Sequence, residues 1–272
     1  MKNIFFMGFV AIALLFATGC EKSTETSSSE PDTILNALAT SNTEAQDVFT
    51  AVEELGDEML ESRDNGSCPT ITSTAPKGIF PNTVTIDFGP GCLSPSGRYH
   101  AGKMVIEQSD SMHHDGAVRT TSFVDFYVDS LVMKNGTITQ KNEGSDGEGN
   151  LTFSRQVSNL AMTSPRGTLV TNALHTRTQV KGGGTPNRHD DAWKITGESE
   201  GTVDEEVKFS AIIKDALVLR GDCPFIVAGL EEVMRNGRTV LVNYGDGTCD
   251  RIARGTLENG DHIIIVLNRR NN

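Results

Sequence analysis

One stretch of this chain occurs twice, and the repetition restricts the fold more than any other feature. Cys68-Pro69 leads to Thr83-Val84-Thr85-Ile86-Asp87-Phe88-Gly89-Pro90-Gly91-Cys92. Cys223-Pro224 leads to Thr239-Val240-Leu241-Val242-Asn243-Tyr244-Gly245-Asp246-Gly247-Thr248-Cys249. Both read Cys-Pro, a turn, Thr-Val-x-aliphatic-Asp/Asn-aromatic-Gly-x-Gly, and a closing cysteine. In the second copy Cys223 opens a strand, Asn236-Gly237 turns it and Tyr244 ends the return strand. Cys223 and Cys249 then lie at the same end of one hairpin, where a bridge can reach. The first copy has the same layout. Cys20 has another use, and the four remaining cysteines allow three connectivities. The layout selects Cys68–Cys92 and Cys223–Cys249, each worth about 3 kcal/mol in the chain-entropy account. A metal site is the alternative use, but the spacing contains no CxxC pair.

Around the repeats the apolar period is two. Residues 83–88 alternate, as do stretches around 118–128, 151–157 and 208–219, and 241–244 and 263–267 read as strands. Asn135-Gly136, Asn236-Gly237 and Asn259-Gly260 are each flanked by strand-like residues and read as hairpin turns. One segment has helical spacing instead: Val48, Val52, Leu55 and Met59 define a single apolar face. Ser41-Asn42-Thr43-Glu44 reads as its capping box and Asn65-Gly66 as its stop, with Ile34, Leu35 and Leu38 forming a short turn before it. Its expected role is to pack against the sheet or cover an edge. No strand–helix–strand alternation is present, which excludes a parallel nucleotide-binding sheet. The fold class is therefore mainly β: an N-terminal helix followed by a twisted, largely antiparallel β-sheet body with an internal repeat.

The first twenty residues carry an address. Lys2 is a positive n-region, Ile4 to Phe16 an apolar run of signal-peptide length, and Ala17-Thr18-Gly19 a small-residue cleavage site directly before Cys20. The run is too short to span a membrane comfortably. The arrangement resembles the lipobox of bacterial lipoproteins, with Ala17 where Leu is usual. That resemblance implies cleavage before Cys20, diacylglycerol on its thiol and acylation of the new amino terminus, giving attachment that one chain alone would not. Glu21, rather than Asp, after the cysteine favours the outer membrane and leaves the leaflet open. Residues 21–33 (EKSTETSSSEPDT) have nothing to bury and read as a disordered tether. The expected organisation is a signal peptide at 1–19, lipidated cysteine and tether at 20–33, a helical segment at 34–66 and a β domain at 67–272, with repeat copies near 68–107 and 223–268. Lipobox, polar tether and paired cysteine repeats together look like a group of uncharacterised β-rich lipoproteins of the Gram-negative envelope. The resemblance covers most of the chain and implies fold and address, but no activity.

Signal removal takes away one charge, Lys2, and moves the formal net charge from −12 to −13. An acidic chain without a basic cluster argues against nucleic acid as a partner and against electrostatic attachment to anionic membranes. The single tryptophan, Trp193, disfavours a stacking carbohydrate groove. Gly97 to Lys103 has phosphate-loop spacing, but Met104 replaces the hydroxyl residue and a strand follows, so it reads as a connection between strands. His113-His114-Asp115 and His189-Asp190-Asp191 are the densest potential metal ligands. Each is contiguous, and adjacent residues in a strand point apart, so they read as solvated loops unless His113, His114, His189 and Asp190 meet in space. Asn142 to Asn150 (NEGSDGEGN) lacks the order of a calcium loop and reads as a hairpin tip. Asp246 aligns with Pro90, so the Gly-x-Gly frame repeats and the acid does not. There is no GxSxG elbow.

No catalytic residue and no cofactor is assigned. The first functional reading is a non-catalytic interaction or structural lipoprotein, attached to a membrane by its lipid and serving an unknown protein partner. A second is a carrier or binder of an apolar or lipidic ligand, for which a large apolar cavity would speak and a filled core would not. A third is a metal-assisted enzyme, which requires the His113/His114 and His189/Asp190 clusters within ligand distance of each other.

Overall fold

The structure, a computed structural model, describes residues 30–62, 68–94, 97–185 and 187–268. Cys20, the lipobox, the tether before Glu30 and the expected stop at Asn65-Gly66 lie outside those residues. A single helix, α1 (Glu30–Ser62), is followed by strands β1 (Thr70–Ser73), β2 (Asn82–Asp87), β3 (Cys92–Leu93), β4 (Tyr99–Gln108), β5 (Val118–Val128), β6 (Leu131–Lys134), β7 (Thr137–Ser145) and β8 (Leu151–Ser164). The chain continues through β9 (Gly167–Lys181), β10 (Ala192–Val203), β11 (Val207–Arg220), β12 (Cys223–Arg235), β13 (Arg238–Asp246), β14 (Ile252–Leu257) and β15 (His262–Val266). All belong to one 15-stranded sheet ordered β1-β2-β4-β5-β6-β8-β9-β10-β11-β12-β13-β14-β15, with β3 on β4 and β7 between β5 and β8. Every pairing is antiparallel, as the meander of short turns requires.

The sheet wraps around α1. Every residue from Ala45 to Glu53 is buried, more than two turns of helix, so no face of that stretch meets solvent. Leu35, Leu38, Phe49, Val52, Leu55 and Met59 join one core with inward residues of β2, β4, β5, β8, β11 and β13. Gly56 permits the close approach to β4: a Cβ there would meet Ile106 Cδ1 at 3.1 Å. Of the two expected roles, packing against the sheet and covering an edge, the helix takes the first, and it lies at the centre of the core.

The sheet curls because its strands carry bulges. Asn135-Gly136 is not a hairpin. β6 and β7 both pair with β5 and β8 and form one strand interrupted by two left-handed residues (φ 57° and 73°). A Cβ on Gly136 would lie 2.5 Å from the Asn159 carbonyl oxygen on β8, which is itself bulged. Gly197 of β10 does the same against β9, where a Cβ would fall 2.1 Å from the Leu174 oxygen. Such bulges bend a strand and increase its twist, and here adjacent strands bend together. Asn236-Gly237 and Asn259-Gly260 do form the tight β12–β13 and β14–β15 turns.

The helix also begins earlier than its capping box. α1 starts at Glu30, with Pro31 in the first turn where a missing N–H is harmless, so residues 30–33 are helix and not tether. Ser41 to Glu44 are interior. Asn42 accepts from the Ser199 hydroxyl at 3.0 Å, Thr43 meets the Tyr244 hydroxyl at 3.1 Å and Glu44 pairs with Arg166 at 2.7 Å. Tertiary partners have taken the side chains that a cap would have used.

The return strands of the two repeat copies are equivalent, although β1 reaches β2 through residues 74–81 and β12 reaches β13 through the two residues Asn236-Gly237. Val84, Ile86 and Phe88 of one and Val240, Val242 and Tyr244 of the other all point inward and are buried. Asp87 and Asn243 each accept the N–H two residues on, from Gly89 and Gly245, at 2.8 Å. The disulfides Cys68–Cys92 and Cys223–Cys249 are formed, with Cα separations of 6.2 and 5.7 Å. Strand direction alternates along the sheet, so the bridges sit at opposite ends of it.

Candidate functional site

The strands place a set of charged and polar side chains on the sheet's inward face, and these close on the polar residues of α1. Arg155 projects inward from β8 in phase with Val157, His175 from β9 with Ala173, and Glu231 from β12 with Val233. From α1, Glu53 accepts from Arg155 (3.4 Å) and from Arg177 of β9. Arg155 lies over the Phe49 ring and Arg177 over Trp193, their guanidinium carbons 5.4 and 4.9 Å from the ring centroids. Arg155 Nη2 approaches His175 Nδ1 at 2.8 Å; an arginine can only donate, so His175 is neutral there with its proton on Nε2. Gln46 Nε2 stands 3.5 Å from that Nε2 and donates to Glu231 at 3.1 Å. The Tyr244 hydroxyl donates to the other Glu231 oxygen at 2.9 Å and meets Thr43. Two hydrogen-bonded sets, Thr43–Tyr244–Glu231–Gln46 and His175–Arg155–Glu53–Arg177, therefore meet at the centre of the molecule.

Burial sets the protonation states. It pulls Arg155 down to about 10, with the Glu53 carboxylate opposing, so the guanidinium stays charged at neutral pH. Burial, and then the charge of Arg155, hold His175 well below its ordinary range. Burial raises Glu231 against the hydrogen bonds that Asn42, Tyr244 and Gln46 offer it. Tyr244 is pushed far up by burial and by Glu231. Arg155, His175, Glu231 and Tyr244 are at most 3 % exposed, and their polar contacts are with one another and with α1.

The charge of α1 matches what surrounds it. Its sequence holds nine acids and no base, so it accounts for most of the formal net charge of −12 and leaves −3 to the rest of the chain. Arg238 takes Asp32, Arg166 takes Glu44, Arg119 takes Asp57 at 2.5 Å and Arg188 takes Glu61. Asn268, just past β15, donates its backbone N–H to Asp47 at 2.9 Å. Burial would raise Asp57, but Arg119, with Arg188 and Arg177, holds it below the usual carboxylate range.

Between α1 and β6, β8 and β9, a cavity of about 10 Å³ lined by Ala45, Leu131, Met162 and Leu169 is room for about one water. The larger depression, about 430 Å³, is open to solvent and lies across the outer ends of β2, β4 and β5, lined by Thr74, Asn82, Thr83, Glu107 and Thr120. Asn82 there is engaged with its own turn, through Thr74 and Ala75.

The residues singled out in the sequence do not assemble. His113 and His114 lie exposed in the β4–β5 connection, where His114 meets Asp110 at 3.1 Å. His189 and Asp190 belong to a 3-10 turn, Arg188–Asp190, between β9 and β10, where Asp190 accepts from Thr185 at 2.9 Å. β7 and β8 separate the two connections. Among the described residues no three His, Cys, Asp or Glu side chains converge as metal ligands. Asn142–Asn150 closes the β7–β8 hairpin, with Asp146 accepting from the backbone of Glu148 and Asn150 at 2.9 Å. Lys103 pairs with Asp87 at 2.8 Å across β2 and β4, on the exposed face of the sheet. Among the described residues no helix is long and apolar enough to cross a membrane. No protein family, curated protein or solved structure matches the chain.

Proposed function

We propose that this protein is a lipid-anchored component of the bacterial cell envelope, held through Cys20 on the outer membrane, and that it acts as a non-catalytic interaction or structural module. The observation that carries the second half is the filling of the sheet's concave face. A carrier of apolar ligands needs that volume empty, and an enzyme needs it reachable; α1 occupies it, and Asn42, Thr43, Gln46 and Glu53 each bond to side chains of the strands. Recognition on this reading belongs to the outer face and edges of the sheet. The two disulfides fit an oxidising compartment, and the lipobox-like segment supports the anchor.

The test is mass spectrometry on protein taken unreduced from its own membranes. Denatured, the chain should begin at Cys20 and carry acyl groups and two disulfides. Under native conditions it should carry no small molecule. A native adduct that is lost on denaturation would replace the module reading with a carrier, and an unacylated chain would remove the anchor.

A further inference from the structure

The two edges of the sheet are finished differently. β1 is four residues, Thr-Ile-Thr-Ser, and mostly polar where exposed. β15 is His-Ile-Ile-Ile-Val, with neither charge nor proline, and among the described residues it pairs only with β14. On the outer face of that pair Ile252, Ile264 and Val266 are 42, 58 and 56 % exposed. The register sets Ile252 opposite Val266 and Arg254 opposite Ile264, so the three apolar side chains and Arg254 form one patch. Arg251 and Arg254 form no ion pair among the described residues. A contiguous apolar patch on an unprotected edge marks a contact surface.

What covers it follows from where the chain enters. The chain enters at the turn end of this hairpin: Asp32 of α1 is bound by Arg238, at the start of β13, and lies 3.5 Å from the amide of Asn259 in the β14–β15 turn, while the register puts Ile264 in the middle of the hairpin and Ile252 and Val266 at its open end. Only ten residue steps separate Cys20 from Glu30, which fully extended reach at most about 36 Å. A lipid at Cys20 therefore keeps this hairpin within reach of the bilayer surface. Most of the chain's excess negative charge is carried by α1, four of whose acids are bound by Arg238, Arg166, Arg119 and Arg188, while Asp250, Glu258 and Asp261 flank the hairpin itself.

We infer that the outer face of the β14–β15 hairpin is a membrane-contact surface, with Ile252, Ile264 and Val266 entering the interface and Arg254 meeting lipid phosphates; the orientation rests on the proposed anchor at Cys20. Arginine suits this position because its stem packs on apolar surface while its head stays with the headgroups. The test uses the chain from residue 20 onward, which contains every described element, with Cys20→Ser so that no acyl chain contributes. Sedimentation with vesicles of phosphatidylcholine and phosphatidylglycerol should bring this protein down. Ile264→Ser combined with Val266→Ser should weaken binding by about tenfold or more. Leu174→Ser, removing an equally exposed leucine from β9, should leave it unchanged. Unchanged Trp193 melting confirms that the variants are folded.

Absence of binding, or equal binding by all three proteins, overturns the inference. So does a dimer that dissociates in the double variant without vesicle binding, which assigns the patch to a second copy of the chain. The mass of the native protein decides Cys20 separately. An acylated chain whose body ignores vesicles sinks the contact surface alone. Vesicle binding through the patch with an unmodified Cys20 supports the surface and sinks the anchor.

Discussion

Glu53→Ala tests the central ionic cluster. Glu53 is the carboxylate that both Arg155 and Arg177 bind, and the side chain of Arg155 has no solvent exposure. Removing the acid leaves one guanidinium fully buried without its counter-charge and a second nearly so. Breaking a buried pair from one side costs about 3 to 5 kcal/mol, mostly the penalty of the stranded charge. Trp193 lies under the Arg177 guanidinium, 4.9 Å from the ring centroid, so its fluorescence reports unfolding where the change is made. With a urea dependence of about 3 kcal/mol per molar, the midpoint should fall by about 1 M or more. Salt should change the difference little, because buried charges are weakly screened. Glu53→Met with Arg155→Met should be far less damaging than the two single changes added, since no charge is then stranded on Arg155. A Glu53→Ala protein within 1 kcal/mol of the parent, or strict additivity in the double variant, would refute the reasoning.

Acid should destabilise the fold through its buried histidines. Burial among Phe88 and Phe126 takes His100 from 6.5 to about 4, Arg98 adding repulsion and Asp129 opposing it. The unfolded chain therefore binds the proton first, so stability is full above pH 6.5 and falls toward pH 4, by about 3 kcal/mol for His100 alone; His100→Leu should flatten the slope in denaturant titrations at several pH values. Cys68→Ser with Cys92→Ser opens a loop of sequence separation 24 and should lower stability by about 3 to 4 kcal/mol by the same titration. Tyr244→Phe removes the hydroxyl between Thr43 and Glu231 and should cost about 1 to 3 kcal/mol, with no change in secondary structure by circular dichroism.

The sequence made the sheet legible because period-two alternation and the duplicated Cys-Pro segment each state a local geometry that nothing distant overrides. The cysteine pairing followed from the same hairpins. The interior was not legible, and the reasons are specific. Ser41 to Glu44 satisfy a capping pattern, yet their side chains serve partners on other strands, such as Ser199, Tyr244 and Arg166. Asn135-Gly136 meets the backbone demands of a hairpin and of a bulge equally, and only the pairing of both flanks with β5 and β8 separates the two. The buried cluster did leave a trace: Arg155, His175 and Glu231 occupy the inward phase of their strands, beside Val157, Ala173 and Val233. A charge in the apolar phase of a strand signals a buried partner, and nine acids on one helix supply it. The His113/His114 and His189/Asp190 clusters were conspicuous only because their members are neighbours in sequence; the sheet keeps the two connections apart.

α1 is the centre of the fold rather than an accessory laid upon it. Native-state hydrogen exchange measures this directly. Amides between Ala45 and Glu53 should exchange only through global unfolding, as slowly as those in the middle of β8 to β13, because every residue of that stretch is buried within the sheet. Exchange in α1 at the rate of a helix that opens on its own, while the sheet stays protected, would mean that the concave face can be vacated, and the case against an internal ligand would fall with it.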